Sequence, residues 1–200
     1  MFSGEGECVK WDDKVYPEGN VEFWLTDLER MMRMSISTQF GLSIKDYAER
    51  DRKEWVLGWA GQIILGCDQV YWSNETEDAI KAQDLKGYHQ TLHQQLKDVT
   101  TLVRTPLTNM QRTSLGAMIT LDVHGRDVIE NLDNAGVQKV SDFEWAAQLR
   151  YYWEASNEAF SGTECAFLRQ VENKFRYGCE YLGNSMRLVV TPLTDRIYLT

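Results

Sequence analysis

The sequence predicts a mainly α protein, an elongated helical-bundle rod with a short β element near its C-terminus. Three observations carry this expectation. Only 3 of the 200 residues are proline, which leaves room for long uninterrupted helices. Apolar residues recur at helical spacing through most of the stretch 21–132, the signature of helix faces turned to a core. From Phe175 onward the period changes to alternation, as in a half-buried strand.

Residues 1–17 are polar, contain Gly4, Gly6 and Pro17, and read as a loose N-terminal arm. Val21, Trp24, Leu25, Leu28, Met31 and Met32 lie on one face of a helix over 19–34. Ile36, Phe40, Ile44, Tyr47 and Ala48 continue that period to about residue 52, with Gly41 as a loosening point. From Trp55 to Trp72 apolar residues spread round several faces, so this helix should be buried on more than one side. The polar run 73–78 is either a turn or an exposed part of the same helix. Leu85, Tyr88, Leu92, Leu96, Val99, Leu102 and Val103 make the next stripe, interrupted at Thr105-Pro106. Thr108 and Gln111 have the spacing of a capping box. They open a helix with a face of Leu115, Met118, Ile119, Val123, Ile129 and Leu132, which Gly136 ends. Ser141 and Glu144 form a second such pair, expected to open a helix through Trp145, Leu149 and Trp153. Val171, Phe175, Tyr177, Cys179 and Tyr181 read as a strand, and Leu188-Val189-Val190 as another.

The apolar fraction of 43% and charged fraction of 26% suit a buried core. A net charge of -9 gives no electrostatic reason to bind nucleic acid or an anionic membrane. Four cysteines without a CxxC pair read as free thiols in a reducing compartment. No apolar run reaches the roughly 18 residues of a membrane span, and the first residues do not resemble a signal peptide. A soluble intracellular chain is expected.

Few constellations suggest chemistry. His89 and His93 stand at i and i+4 on one helix face, the spacing of a zinc metalloprotease helix. Gln90 occupies the position of the general base and cannot take a proton. Two exposed histidines are therefore the preferred reading over a metal site. Asp122 and Arg126 are spaced for an intrahelical ion pair. His124 with Asp127 could be an oriented base, but no nucleophile accompanies it, so a polar network between helices is preferred. Of the seven tryptophans, Trp24, Trp59 and Trp145 read as core, while Trp11 is open between arm and partner surface. There is no GxxxxGK[ST], GxGxxG or GxSxG. The residues by themselves describe a helical scaffold without catalytic or metal residues.

The C-terminal stretch is more specific. Phe175-Arg176-Tyr177-Gly178-Cys179-Glu180-Tyr181-Leu182-Gly183-Asn184-Ser185, then Arg187-Leu188-Val189-Val190-Thr191-Pro192-Leu193-Thr194-Asp195-Arg196, closely resembles the dynein heavy chain at the junction between its linker and the first AAA module of its motor ring. Gly58-Trp59-Ala60-Gly61-Gln62-Ile63, Gln69-Val70-Tyr71-Trp72, the stretch 120–128 and the stretch 145–153 resemble the same family in the same order, closer in tone to axonemal than to cytoplasmic members. Cys179 stands where the family has tyrosine, Met186 where it has proline, and the family carries a proline or small residue near Gly61.

The resemblance implies a division into the arm at 1–17, a helical linker region at 18–160 and a β-containing junction at 161–200. It implies a mechanical lever segment of an ATP-driven microtubule motor, itself not an enzyme, with ATP and Mg bound by the parent motor and no cofactor of its own. Val190, Thr191, Pro192 and Leu193 would pass the adenine side of the first module's nucleotide. Implied partners are the AAA ring of the same heavy chain, other dynein subunits and, through a distant part of the chain, the microtubule. No nucleic acid and no membrane are expected. The implied location is cytoplasm and cytoskeleton, in the axoneme of a cilium or flagellum. The alternatives are a helical adaptor with an aromatic-rich surface and a metalloenzyme built on His89 and His93.

Overall fold

The computed structural model describes residues 1–184, and among them six helices precede a three-stranded antiparallel sheet. The helices are α1 (Val21–Glu49), α2 (Arg52–Gly58), α3 (Gly61–Ala82), α4 (Leu85–Leu102), α5 (Asn109–Ala135) and the single turn α6 (Phe143–Ala146). The strands are β1 (Arg150–Ala155), β2 (Glu164–Gln170) and β3 (Asn173–Arg176), in the order β1-β2-β3. The chain is thus mainly α with a short β element.

Helices α3, α4 and α5 form an antiparallel bundle whose apolar stripes meet in two core regions. At one end Ile63, Ile64, Cys67 and Val70 of α3 pack with Val99, Leu115 and Met118, and with Ile36, Phe40, Trp55 and Val56 of α1 and α2. At the other end Trp72, Ile80, Leu92, Val128, Ile129 and Leu132 surround Trp145. The Thr108 hydroxyl accepts the Gln111 N–H at 3.2 Å and the Gln111 side chain accepts the Thr108 N–H at 3.0 Å, completing the capping box that starts α5. Gly136 ends α5 with φ 70°, a left-handed exit.

Helix α1 runs without a break through Gly41, where a Cβ would stand 3.2 Å from the Trp153 indole. Its first half is less buried than its apolar face predicts: Val21, Phe23 and Leu25 are exposed, Trp24 is only half-buried, and full burial begins at Ser35. The single helix expected from Trp55 is two, because Trp59 and Ala60 adopt extended backbone between α2 and α3. The polar run 73–78 belongs to α3, with Ser73 and Thr76 wholly buried and bonded to carbonyls one turn back.

The helix expected through Trp145, Leu149 and Trp153 ends after one turn. Asp142 turns its carboxylate back to the N–H groups of Gln138 and Lys139, at 2.9 and 3.0 Å, and no side chain caps α6. Arg150–Ala155 then pairs with Glu164–Gln170, with Tyr152 opposite Phe167 and Trp153 opposite Ala166. The Tyr151 N–H bonds to Ser73 of α3 at 2.9 Å, which seats the sheet on the bundle. The strand expected from Phe175 to Tyr181 is regular only to Arg176. Residues 1–9 fold back on themselves: Phe2 bridges Cys8, and Val9 is buried in the first core region.

Candidate functional site

Beyond β3 the chain leaves the sheet, and residues 177–184 run over the N-terminus of α3 held largely by side chains. The Tyr177 N–H donates to the Ala166 carbonyl at 2.9 Å as a last sheet bond. From there Gln62, in the first turn of α3, takes over. Its amide nitrogen donates to the Tyr177 hydroxyl at 2.9 Å and to the Glu180 carbonyl at 2.6 Å, and its oxygen accepts the Leu182 N–H at 2.8 Å. Arg33 of α1 reaches the Gly178 carbonyl at 3.3 Å and the Glu180 carboxylate at 2.9 Å. Glu7 accepts both the Gly61 N–H, at 2.8 Å, and the Tyr181 hydroxyl, at 3.0 Å. It thereby fills a cap position on α3 that Ala60 cannot fill.

Two glycines permit this approach. A Cβ on Gly61 would stand 2.7 Å from the Asn184 amide and from the Ser114 hydroxyl. Gly183 has φ +75°, and a Cβ there would stand 2.4 Å from Ser3. Cys179 is a non-glycine residue at φ 52°, buried against the first core region. Burial pushes its thiol up to about 12. Burial also raises the Tyr181 hydroxyl, and the facing Glu7 adds to the shift. These groups are held in their neutral forms and offer no base or nucleophile at neutral pH. A cleft of about 390 Å³ lies beside the segment, lined by Gln62, Gln69, Tyr151 and Tyr177 and by residues 178–180 and 182–184.

The other candidate residues sit elsewhere. Asp122 does not pair with Arg126. It takes two bonds from Arg52, at 2.8 and 3.2 Å, while Arg126 turns to Asp127 at 2.6 Å. Arg52 also bonds Asp68 at 2.6 Å, so a polar network joins α2, α3 and α5. Asp127 is thus the partner of Arg126. The rings of His89 and His93 meet edge to face at 4.8 Å on α4. Among the described residues no three His, Cys, Asp or Glu side chains are grouped to hold a metal ion. Trp145 is fully buried and Trp59 donates its indole N–H to Asp46 at 2.8 Å. Trp11 is half-buried in the N-terminal segment. Among the described residues no helix is long and apolar enough to cross a membrane. Val190, Thr191, Pro192 and Leu193, and the strand expected at 188–190, lie outside the described residues. The Gln62 clamp was hidden in the sequence, since its partners lie more than a hundred positions away. The run Gly61-Gln62 beside a family-like stretch was its one visible trace.

The segment on which these contacts converge has a known counterpart. Residues 177–200 match the model described as the hydrolytic ATP binding site of dynein motor region. Along its full length the chain is 44% identical over 201 residues to dynein axonemal heavy chain 1 of Mus musculus. It is 43% identical over 205 residues to dynein axonemal heavy chain 12 of Rattus norvegicus, and 38% identical over 203 residues to dynein axonemal heavy chain 3 of Homo sapiens. The chain spans about 4–6% of the length of these relatives. The chain belongs to the dynein heavy chain family.

Proposed function

We propose that the chain is the C-terminal stretch of a dynein linker, a mechanical lever that carries no catalytic residues and leads into the first AAA module of an ATP-driven microtubule motor. The observation that carries this reading is the convergence on residues 177–184. The segment where the ATP-site match begins is bonded to α1 through Arg33, to α3 through Gln62 and to residues 1–9 through Glu7. Any displacement of that segment pulls on all three at once. Long packed helices are stiff enough to pass the displacement on. Val190, Thr191, Pro192 and Leu193 are proposed to run past the adenine of the nucleotide, with ATP and Mg held by the parent motor. The proposed partners are the AAA ring of the same heavy chain, other dynein subunits and, at a distance, the microtubule. The axoneme of a cilium or flagellum is the proposed location, since the relatives compared are named axonemal.

The test is made in the full-length motor. Val70→Pro, in the middle of α3, removes a backbone hydrogen bond at about 3 kcal/mol or more and interrupts the rod. Circular dichroism of the variant must first show its helix content retained, and Gln62→Ala serves as the milder companion. Microtubule gliding velocity should fall more steeply than basal ATP turnover. Equal proportional losses in both, or none in either, would count against the lever. The isolated chain should not hydrolyse ATP. Turnover abolished by a substitution within residues 1–200 would reveal a catalytic site.

A further inference from the structure

Asp68 of α3 and Asp122 of α5 both accept from the same atom, Arg52 Nη2, at 2.6 and 2.8 Å. The two carboxylates are therefore close neighbours. Their side chains are only 6% and 10% exposed, and that of Arg52 is 13% exposed. One cation faces two anions, and removing a surplus charge from water is costly unless a partner compensates it. Among the described residues lining the pocket around the triad, Arg52 is the one lysine or arginine. Around the triad stand Tyr47 of α1, Gln69 and Glu75 of α3, Tyr88 and Gln95 of α4 and Leu121 of α5. Glu75 is a further acid, and it receives a hydrogen bond from the Tyr88 hydroxyl at 3.1 Å. Lys53, next to Arg52, turns away to Asp98 at 3.4 Å.

We propose that Asp68 and Asp122 form a proton-binding site, sharing one proton so that the triad with Arg52 becomes neutral. The shared proton replaces carboxylate repulsion with a carboxyl–carboxylate hydrogen bond, while Arg52 keeps its bonds to both. The triad lies where a tie has mechanical meaning. Helix α2 has seven residues and extended backbone at both flanks, Arg50 and Trp59. Trp55 and Val56 bury its apolar side in the first core region, and Arg52 adds a polar tie from this short corner to α3 and α5. Burial pushes the Asp122 carboxyl up to about 6, the charge of Asp68 adds to the shift, and Arg52 opposes it. An unfolded aspartate titrates near about 4. The folded chain therefore binds the proton more tightly, and this group's contribution to stability grows as pH falls through about 6 and is complete only below the unfolded value near about 4. The corner is tightest in mild acid and loosens as the proton leaves.

The experiment is a titration of the intact chain, carrying ¹³C at its aspartate carboxyl carbons, between about pH 4 and 8. The Asp68 and Asp122 signals are assigned through the backbone, so no variant is needed for assignment. The result expected is a step at the Asp122 carbon with a midpoint near 6. In Asp68→Asn the Asp122 midpoint should drop by about a unit or more toward the ordinary range, because the neighbouring charge is gone and Arg52 remains. An Asp122 midpoint near 4 in the native chain would overturn the proposal. So would a raised midpoint that Asp68→Asn leaves unchanged.

Discussion

The side chain of Gln62 holds the backbone at Leu182 as a neighbouring strand would: its oxygen accepts the Leu182 N–H at 2.8 Å, and its amide nitrogen donates to the Glu180 carbonyl at 2.6 Å. One residue of α3 thus does for the exit segment what a sheet ladder does for β3. Gln62→Ala should cost about 1–2 kcal/mol locally and leave the bundle intact. Hydrogen exchange at the Leu182 amide should quicken about tenfold, with the melting temperature nearly unchanged. An unaltered Leu182 rate would show that the clamp does not hold the segment.

Two glycine substitutions should act in opposite directions. A Cβ on Gly66 would stand 2.4 Å from Cε2 of Phe40. Phe40 is itself buried and stacked on Trp153 at 5.5 Å. Gly66→Ala therefore overpacks the core and should destabilise by about 1–3 kcal/mol. Gly116, on the exposed side of α5, has nothing within 4 Å of its missing Cβ. Gly116→Ala should stabilise by about 0.5–1 kcal/mol through helix propensity alone. A denaturant midpoint that rose in Gly66→Ala, or one that fell in Gly116→Ala, would contradict the account of that variant.

The four thiols should separate by access. Cys8 is exposed, while Cys67, Cys165 and Cys179 are buried. Burial raises the pKa of each of the three buried thiols, Cys179 to about 12. The thiolate is the reactive form, so a disulfide reagent at about pH 8 should consume one thiol quickly and three only after unfolding. In Cys8→Ser the fast phase should vanish. A fast phase that survives would mean that a buried thiol is reached through local opening.

The sheet should add an acid-sensitive contribution. Burial pushes the Glu154 carboxyl up, but the facing Lys174 and Arg169 outweigh it, and its pKa is lowered. A carboxylate with a lowered folded pKa contributes stability above the ordinary glutamate range and loses it as pH falls through the folded value. This is opposite in sign to the Asp68–Asp122 pair. Glu154→Gln should flatten the fall of the melting temperature in the acid range. An unchanged slope would mean that the ion pairs with Arg169 and Lys174 are fully screened by solvent.

What the sequence revealed and what it hid divide along contact range. The stripe of α4, the capping box at Thr108 and Gln111 and the exit at Gly136 involve neighbours within a few positions, and they are legible as pattern. Strand β1 was hidden because Ser141 and Glu144 mimic a helix start. What decides the matter is pairing with residues 164–169, together with the redirection of Asp142 to Gln138 and Lys139. The Asp122–Arg126 pair failed for a related reason: a more deeply buried guanidinium from 70 positions away takes Asp122 in place of the half-buried one on the next turn. The first half of α1 shows the converse, a genuine apolar face that the described residues leave largely uncovered. At the candidate site, the family-like runs marked the segment and Gln62, while its other holders, Glu7 and Arg33, had no pattern to betray them.

The bond between Tyr181 and Glu7 spans 174 positions of the chain. A loop of that length costs about 4–5 kcal/mol in closure entropy when nothing in between is ordered. It becomes inexpensive only once the bundle has already brought both ends to the tip of α3. The joint is therefore the last part of the structure to form as the chain emerges during synthesis. Until residues 177–182 have left the ribosome, the Gln62 side chain stands without the Tyr177, Glu180 and Leu182 partners it holds in the folded chain, and a stalled or truncated product would leave that end of α3 uncovered.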